Sequence, residues 1–339
     1  MANFSTSNLL TAQTMVADKY KSPEMRMKPA PAFALLTGNS SILIADHNTL
    51  KTRDDRPIEA HLLARTKRAS GSARSHNHTG TFDDSQKVTL TWTTKSDVFS
   101  ISLKLLDKSV LDFNTVFANK LEQAAMNILE DRETEAIAYL VAQKATAQPT
   151  LKGASFNAVT NAVEVDAIKD KQFFQIVSSI MRQNYFGGAV DIIADSTLAI
   201  TAEFLAQQGQ GNATNYGWQF ANKNIAESVE YSDANYSNGS AIVMPAGSVG
   251  CLCWIPKQNR QGWGDYNSYN GGYGVFNFMG HQFALHAYAQ RSDTSGSNGM
   301  TQDVTMEFEL SLDCSYNKAP LSTIAGRTDS VIIEVGQKS

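Results

Sequence analysis

The sequence has few cysteines, few prolines and little charge for a chain of 339 residues. Three cysteines are too few for the disulfide framework of a small secreted protein. Eight prolines, with no glycine at every third position, exclude a collagen-like chain. Hydrophobic residues make up 42% of the chain, which excludes an intrinsically disordered protein and is enough for a sizeable core.

Long apolar runs are also missing. No stretch of about 18 consecutive apolar residues is present, so we expect no membrane-spanning helix and no membrane partner. The N-terminal sequence Met1-Ala-Asn-Phe-Ser-Thr does not have the basic segment and following apolar segment of a secretory signal. We therefore expect the protein to be made in the cytosol and to remain there.

Charged residues make up only 18% of the chain, against roughly 25% in typical soluble domains. The net charge of −4 does not indicate a dedicated nucleic-acid binder. Residues 1–110 carry a net charge of +5, whereas residues 111–339 carry −9. Such regions can attract each other within a fold or between copies, although compositional drift explains the asymmetry equally well.

The motifs of enzymes are missing as well: no phosphate loop, no Gly-x-Ser-x-Gly and no His-Glu-x-x-His occurs. His76-Asn-His78 is the best metal-binding candidate among the histidines, but solvated loop side chains are the simpler interpretation. The apolar surroundings of Cys251 and Cys253 favour small buried core residues over metal ligands, and the third cysteine is Cys314. We expect no enzyme, no metal site and no cofactor.

Apolar periodicity predicts a mixed α+β chain. Residues 1–50 sustain no helical period, so we expect an arm that lies on another surface or stays mobile. Residues 56–106 are predicted to form a long β-hairpin with a polar, basic tip. Apolar residues at three- and four-residue steps predict a helix over 111–145, about 50 Å long. The charged stretch 130–135 is interpreted as its solvated face.

The second half of the chain alternates helix and strand patterns. We predict a helix over 170–185, a buried strand over 189–194 and a short helix that Ser196 caps at its N-terminus and that ends near Gln208. Alternating or apolar runs predict five further strands, at 224–231, 240–244, 282–290, 301–312 and 331–335.

Residues 262–280 contain six glycines and six aromatic side chains in 19 residues. A loop of this kind can stack on sugar rings or bases. It is equally suited to wide turns that tyrosines anchor in a subunit contact. We favour the subunit contact and select Trp263 and Tyr273 as candidate contact residues.

A basic cluster lies between residues 51 and 74. It could track phosphates, but no aromatic side chains are interleaved for base stacking. We expect it to reach the acidic surface of a neighbouring copy. Its members are Lys51, Arg53, Arg56, Arg65, Lys67, Arg68 and Arg74, of which the last four are candidate intersubunit contacts.

The order of these elements resembles that of the major capsid proteins of tailed bacteriophages with the Hong Kong 97 fold. The stretches Trp92-Thr-Thr-Lys-Ser-Asp-Val-Phe and Ile242-Val-Met-Pro-Ala-Gly-Ser-Val-Gly250 look like that family. The resemblance implies five segments along the chain. They are an N-terminal arm (1–50), an extended β-hairpin loop (51–107), a peripheral domain with a spine helix (108–188), an axial domain (189–280) and returning peripheral strands (281–339).

For function, the resemblance implies a structural protein of the virion. Copies would join as hexamers and pentamers, in the host cytoplasm, into an icosahedral shell around double-stranded DNA that is bound without sequence preference. Portal, scaffold or decoration proteins would be its further partners. Some family members link a loop lysine to a neighbour's asparagine; Lys67 lies on the loop, but no motif identifies a partner residue.

Two alternatives remain open. An encapsulin-type compartment shell has the same architecture but holds cargo protein instead of DNA. A carbohydrate-binding module, from a different class, would use the aromatic side chains of residues 262–280.

Overall fold

The computed structural model describes residues 4–20, 30–62, 86–102, 112–148, 151–166, 172–209, 222–296, 299–321 and 327–338. Within these ranges the helices are α1 (Thr6–Lys19), α2 (Pro31–Leu43), α3 (His47–Lys51), α4 (Phe113–Ala142), α5 (Phe173–Gln183), α6 (Ser196–Gly209) and α7 (Lys257–Gln261). The strands are β1 (Glu59–Leu62), β2 (Gln86–Thr89), β3 (Thr93–Ser102), β4 (Ser155–Asn157), β5 (Ala162–Val165), β6 (Val190–Ala194), β7 (Lys223–Glu227), β8 (Ser240–Pro245), β9 (Val249–Trp254), β10 (Gly272–Phe278), β11 (His281–Gly296), β12 (Gly299–Lys318) and β13 (Ile333–Gln337). The predicted mixed α+β fold class is confirmed.

The first sheet is antiparallel and has the order β10-β11-β12-β3. Its two longest strands, β11 and β12, pair at the centre of the sheet. The last residues of β12 extend past β11 and pair with β9. The resulting surface is long enough for a long helix to lie along it.

Helix α4 is that long helix, and its prediction is confirmed. Its 30 residues span about 45 Å at 1.5 Å per residue. Asp112 caps its N-terminus and accepts a hydrogen bond from the Asn114 N–H at 3.3 Å. Its apolar side chains pack on the sheet; the rings of Phe117 and Phe308, for example, lie 4.7 Å apart. We call the buried residues between the first sheet, α1, α2 and α4 the first core.

The N-terminal segment forms two helices, so the expectation of no sustained helix within residues 1–50 was wrong. Leu9 and Val16 of α1 and Phe33 and Leu36 of α2 are buried in the first core. The segment therefore lies on the body of the protein. In α1 the buried residues Leu9, Ala12 and Val16 do follow three- and four-residue steps, but this run is too short to predict a helix without its surroundings.

The predicted hairpin is divided between two sheets. Strand β1 pairs with β2 from Glu59 opposite Thr89 to Leu62 opposite Gln86. Residues 93–102, which we assigned to the second limb of the hairpin, instead pair with β12 in the first sheet. This part of the prediction was wrong because the alternating pattern of β3 fits any strand with one covered face, whichever its partner.

The second sheet has the order β4-β5-β13-β8-β6-β7, in which β13 and β5, and also β6 and β7, run parallel. The predicted helix over 170–185 and strand over 189–194 are confirmed as α5 and β6. Helix α6 is also confirmed, but Asp195 rather than Ser196 caps it, since its carboxylate accepts from the Leu198 N–H at 2.8 Å. We call the buried residues between this sheet, α5 and α6 the second core.

The two sheets do not follow the predicted segment boundaries. Strands β9 and β10 fall within the predicted axial segment 189–280 but pair in the first sheet. Conversely, β13 comes from the predicted returning segment 281–339 and lies inside the second sheet. In the described part of the chain, no helix has both the length and the apolar character needed to cross a membrane.

Candidate subunit-contact surfaces

The hairpin root is held by a small core of its own. Leu62 and Leu90 pack there with Ile44, Leu50 and Leu252, all of them buried. The hairpin therefore leaves the body from a fixed base. Four candidate contact residues beyond this base lie outside the described residues, and they stay predictions: Arg65, Lys67, Arg68 and Arg74.

Arg56 is held by contacts within its own chain. Its guanidinium forms an ion pair with Asp313 of β12 at 2.8 Å. It also lies over the rings of Trp92 and Trp254, 5.9 and 5.7 Å from their centroids. The expectation that the basic cluster reaches another copy stays a prediction at Arg56, which fastens the hairpin root to the first sheet of its own chain.

The glycine- and aromatic-rich stretch 262–280 is folded tightly on itself. Gly264 has a φ of +84°, and a Cβ atom there would lie 2.3 Å from the Gly271 carbonyl oxygen. Gly271 has a φ of +80°, and its Cβ would lie 2.4 Å from Nε2 of His286. Only glycine fits these two positions, since any larger residue would be strained and would also clash. The glycines thus bring the turn against the first sheet.

Some aromatic side chains of this turn anchor it within the chain. The ring of Tyr266 lies edge-on to that of Phe4 at 5.0 Å. The Asn267 side chain accepts from the Phe4 N–H at 3.0 Å and donates to the Phe4 carbonyl at 2.9 Å. Tyr273 stacks on His286 at 4.6 Å. The turn therefore clamps the start of the N-terminal segment.

Other aromatic side chains of the same turn face solvent. Trp263 is 52% exposed and Tyr269 is 81% exposed. Trp263 and Tyr273 are our two candidate contact residues. The ring of Trp263 faces solvent, whereas the ring of Tyr273 is already stacked on His286 of the same chain. Tyr269, which the sequence analysis did not single out, has the larger free surface. Its exposure is not evident from the sequence, because all the aromatic residues of the stretch look alike there.

Helix α6 carries an apolar pair on its outer face. Ile200 and Phe204 lie one turn apart and are 68% and 53% exposed, respectively. Leu198, Ala202 and Leu205 of the same helix are buried in the second core. Helix α6 thus has two apolar faces. The rest of the chain covers one of them, and the other is exposed to solvent.

Strand β3 ends the first sheet within the described ranges. Its ten residues pair with β12 along one edge. Val98 in the middle of β3 is 62% exposed. A long edge strand is a template for pairing with another chain unless something covers it.

Two charged side chains of α4 that we expected in solvent are buried. Arg132 donates to the Thr93 hydroxyl at 2.8 Å and to the Leu312 carbonyl, and it pairs with Glu135. The error was avoidable, since Arg132 and Glu133 follow Leu129 at the three- and four-residue steps of the buried face.

Glu133 holds the start of α2. Its carboxylate accepts from the N–H groups of Ala32 at 3.1 Å and Phe33 at 2.9 Å, and from the Ser228 hydroxyl at 2.6 Å. These N–H groups belong to the first turn of α2, where no intrahelical acceptor exists. Burial raises the pKa of Glu133 above its usual value. The carboxylate acts as a helix cap supplied from about 100 residues away in sequence.

All three cysteines converge at one point of the first sheet. Cys251 and Cys314 are buried, as predicted, and Cys253 is half-buried. Their Sγ atoms all lie within 4.8 Å of one another. The sequence alone does not predict that Cys314 lies beside the other two cysteines. The pairing of β9 with β12 places it there.

No protein-family model matches the chain, and no curated protein matches it either. Solved structures do align with it. A chain from Mycobacterium phage Bobi is 12% identical with a TM-score of 0.47, and the alignment covers 100% of both chains. A chain from the capsid of Cyanophage P-SCSP1u is 10% identical with a TM-score of 0.42 and covers 83% of each chain. A chain from a holo-encapsulin complex of Synechococcus elongatus is 11% identical with a TM-score of 0.39, covering 75% of this chain and 76% of that one.

Proposed function

We propose that this chain is the major capsid protein of a tailed bacteriophage, a structural protein with a Hong Kong 97-like fold. Copies assemble as hexamers and pentamers into an icosahedral shell that encloses double-stranded DNA. The five segments of the sequence analysis are part of the proposal, as are DNA binding without sequence preference and contacts with portal, scaffold or decoration proteins. Assembly takes place in the host cytoplasm, and the product is a component of the virion.

The observation that carries the proposal is the order of elements around α4. An N-terminal segment lies over the body, a hairpin root follows, and a 30-residue helix then lies along the first sheet. A second sheet and the long returning strands β11 and β12 complete the chain. This is the order on which the resemblance to phage capsid proteins rests. A helix as long as α4 has no place in a jelly-roll capsid.

The surface of the single chain supports assembly with further copies. Several apolar side chains are exposed to solvent in the single chain. They are Ile200 and Phe204 on α6, Val98 on the edge strand β3, and the rings of Trp263 and Tyr269. Burying one large apolar side chain contributes about 1.5–3 kcal/mol, so several such contacts stabilise an interface substantially. A second copy of the same chain is the partner that a shell supplies.

The charge distribution supports the same partner. The first 110 residues carry a net charge of +5 and the remainder carries −9. If the hairpin beyond its fixed root reaches across a neighbour, opposite charges meet and favour that arrangement over a random one. Added salt is therefore expected to slow assembly.

A size measurement tests the proposal. The full chain, expressed and purified, is expected to sediment as capsomers or closed particles. DNA protected from nuclease inside native particles supports a phage capsid, whereas particles that hold protein cargo and no DNA support the encapsulin-type alternative. A chain that stays monomeric at high concentration contradicts both.

A pair of variants tests the contact surface on α6. Replacing both Ile200 and Phe204 by serine is expected to prevent assembly while the subunit stays folded, because neither side chain belongs to the second core. Glu203→Ser is the matched control, since it shortens an exposed side chain of the same helix without removing apolar surface. Normal assembly of the double variant would remove this face of α6 from the proposed interface.

A further inference from the structure

Every cysteine of the chain lies in one cluster. The sequence contains three, Cys251, Cys253 and Cys314. The Sγ atoms of Cys253 and Cys314 are 3.5 Å apart, and no two of the three sulfur atoms are separated by more than 4.8 Å. The three thiols, which come from two paired strands, therefore lie close together.

The strand geometry produces this cluster. Cys251 and Cys253 are two residues apart on β9, so their side chains lie on the same face of the sheet. Cys314 of β12 is directly opposite Cys253 in the antiparallel register. The three sulfur atoms therefore form a triangle whose position is set by backbone pairing and not by flexible loops.

The size of this triangle suits a metal ion. With zinc–sulfur distances of about 2.3 Å and tetrahedral angles, the ligand sulfur atoms are about 3.8 Å apart. The separations in this structure, 3.5 Å for one pair and at most 4.8 Å for the others, bracket that value. Small side-chain rotations bring all three thiolates onto one ion.

The cluster can be reached from solvent. Cys253 lines a cleft of about 650 Å³ together with Lys51 and His281. An ion entering from solvent through this cleft therefore meets Cys253 first.

We propose that Cys251, Cys253 and Cys314 form a binding site for a thiophilic metal ion such as Zn²⁺, with the fourth coordination position open to water in the cleft. Each thiol that becomes a ligand releases its proton to solvent. The ion would cross-link β9 to β12 beside α4. The site does not depend on whether the chain assembles into a shell.

The competing use of this cluster is a disulfide between Cys253 and Cys314. Forming it requires the two sulfur atoms to approach from 3.5 Å to about 2.05 Å, and an oxidant such as a small-molecule disulfide to take the two electrons. It would engage two thiols and leave Cys251 unused. A metal ion would be bound by all three cysteine side chains, so we favour metal binding over the disulfide.

Titration with Co²⁺ tests the site directly. The reduced full-length protein, kept free of oxygen, is expected to develop sulfur-to-cobalt charge-transfer absorption in the near ultraviolet. The absorption should saturate at one equivalent per chain, and Zn²⁺ should abolish it. Because the chain has no other cysteine, this absorption reports the cluster alone.

Variants assign the ligands. Cys251→Ser and Cys314→Ser are each expected to weaken Co²⁺ binding at least about tenfold. Ser315→Ala is the control, because the Ser315 side chain lies on the opposite face of β12 from that of Cys314. This variant is expected to leave the Co²⁺ titration unchanged. Should a cysteine variant fail to fold, alkylation of the unmodified protein gives the same information, since one equivalent of Zn²⁺ is expected to protect all three thiols.

Three results would overturn the site. They are folded protein without charge-transfer absorption at saturating Co²⁺, absorption that persists unchanged in both cysteine variants, and alkylation rates that Zn²⁺ does not alter. If alkylation before reduction labels one cysteine and after reduction labels three, the cluster is a disulfide and the metal assignment is wrong.

Discussion

The first and second cores hold their outer helices by different means. In the second core, Phe173, Val177 and Ile180 of α5 are buried side by side, and the helix is held by apolar contact. In the first core, α1 and α2 also bury apolar side chains, but carboxylates on distant elements hold these helices in addition. The difference shows that a helix with a weak apolar pattern can be as firmly placed as an amphipathic one.

Three carboxylates supply this support in the first core. Glu122 of α4 accepts from Lys19 at 2.7 Å and from the Tyr20 hydroxyl, at the end of α1. Glu133 caps the start of α2, and Asp191 of β6 accepts from Asn39 of α2 at 2.7 Å. Each contact joins residues that are 100 or more positions apart in sequence.

The largest expected effects come from emptying either core. Phe33→Ala in the first core and Phe173→Ala in the second are each expected to lower the free energy of unfolding by about 4 kcal/mol, because both rings are fully buried. The two losses should add, since the residues belong to separate clusters. Urea unfolding of the unassembled subunit measures them. If the loss in the double variant differs from the sum of the two single losses by more than about 1 kcal/mol, the two cores are coupled and do not act independently.

The next effect separates the two cores. Glu133→Ala is expected to cost about 3 kcal/mol, because it leaves two buried N–H groups and a hydroxyl without an acceptor. Glu164→Ala in the second sheet is the matched control. It removes an ion pair with the half-exposed Lys338 and a hydrogen bond from Asn157, neither of which caps a helix, so a smaller loss is expected. Equal losses in the two variants would contradict the distinction between the cores.

A smaller effect is expected at the end of α1. Tyr20→Phe removes the hydroxyl that donates to Glu122 and should cost about 1 kcal/mol. Burial, followed by this hydrogen bond, raises the pKa of Tyr20 to about 12. Ultraviolet titration near 295 nm should therefore lose one of its tyrosine transitions near pH 12 when Tyr20 is replaced, while that of Tyr139 remains. An unchanged titration would place the Tyr20 hydroxyl away from Glu122.

The smallest expected effect is a dependence on pH. Because burial raises the pKa of Glu133 above 4.5, the folded state holds this proton more tightly than the unfolded state. Its contribution to stability is therefore complete below pH 4.5 and is lost as the pH rises through the raised pKa. The stability difference between the unmodified protein and Glu133→Gln should accordingly fall as the pH rises above 4.5. A difference that grows with pH would show that hydrogen bonding to the carboxylate outweighs its burial.

The same contrast explains what could be predicted from the sequence. Helices α4 and α5 were predicted because their apolar residues repeat at the helical period, and strand β6 because it is a short, mostly apolar run that is buried throughout. The N-terminal helices were missed because Glu133 and Asp191, which hold α2, carry no local signal of that role. The partner of β3 was missed for a similar reason, since alternation identifies a strand but not its neighbour.

The candidate contact surfaces were predicted less completely than the fold. The stretch 262–280 was identified as unusual, but its composition does not separate the anchoring Tyr266 from the exposed Tyr269. The apolar face of α6 was not singled out, because Ile200 and Phe204 look like ordinary core positions in a helix of this composition. Exposure is a property of the folded chain, and sequence spacing alone does not supply it.

One measurement tests the central claim most directly, namely cryo-electron microscopy of the purified full-length chain. The proposal predicts closed icosahedral shells, or hexameric and pentameric capsomers, in which the outer face of α6 contacts a neighbouring copy. Dispersed monomers at high concentration, with no shell or capsomer in the images, would contradict it.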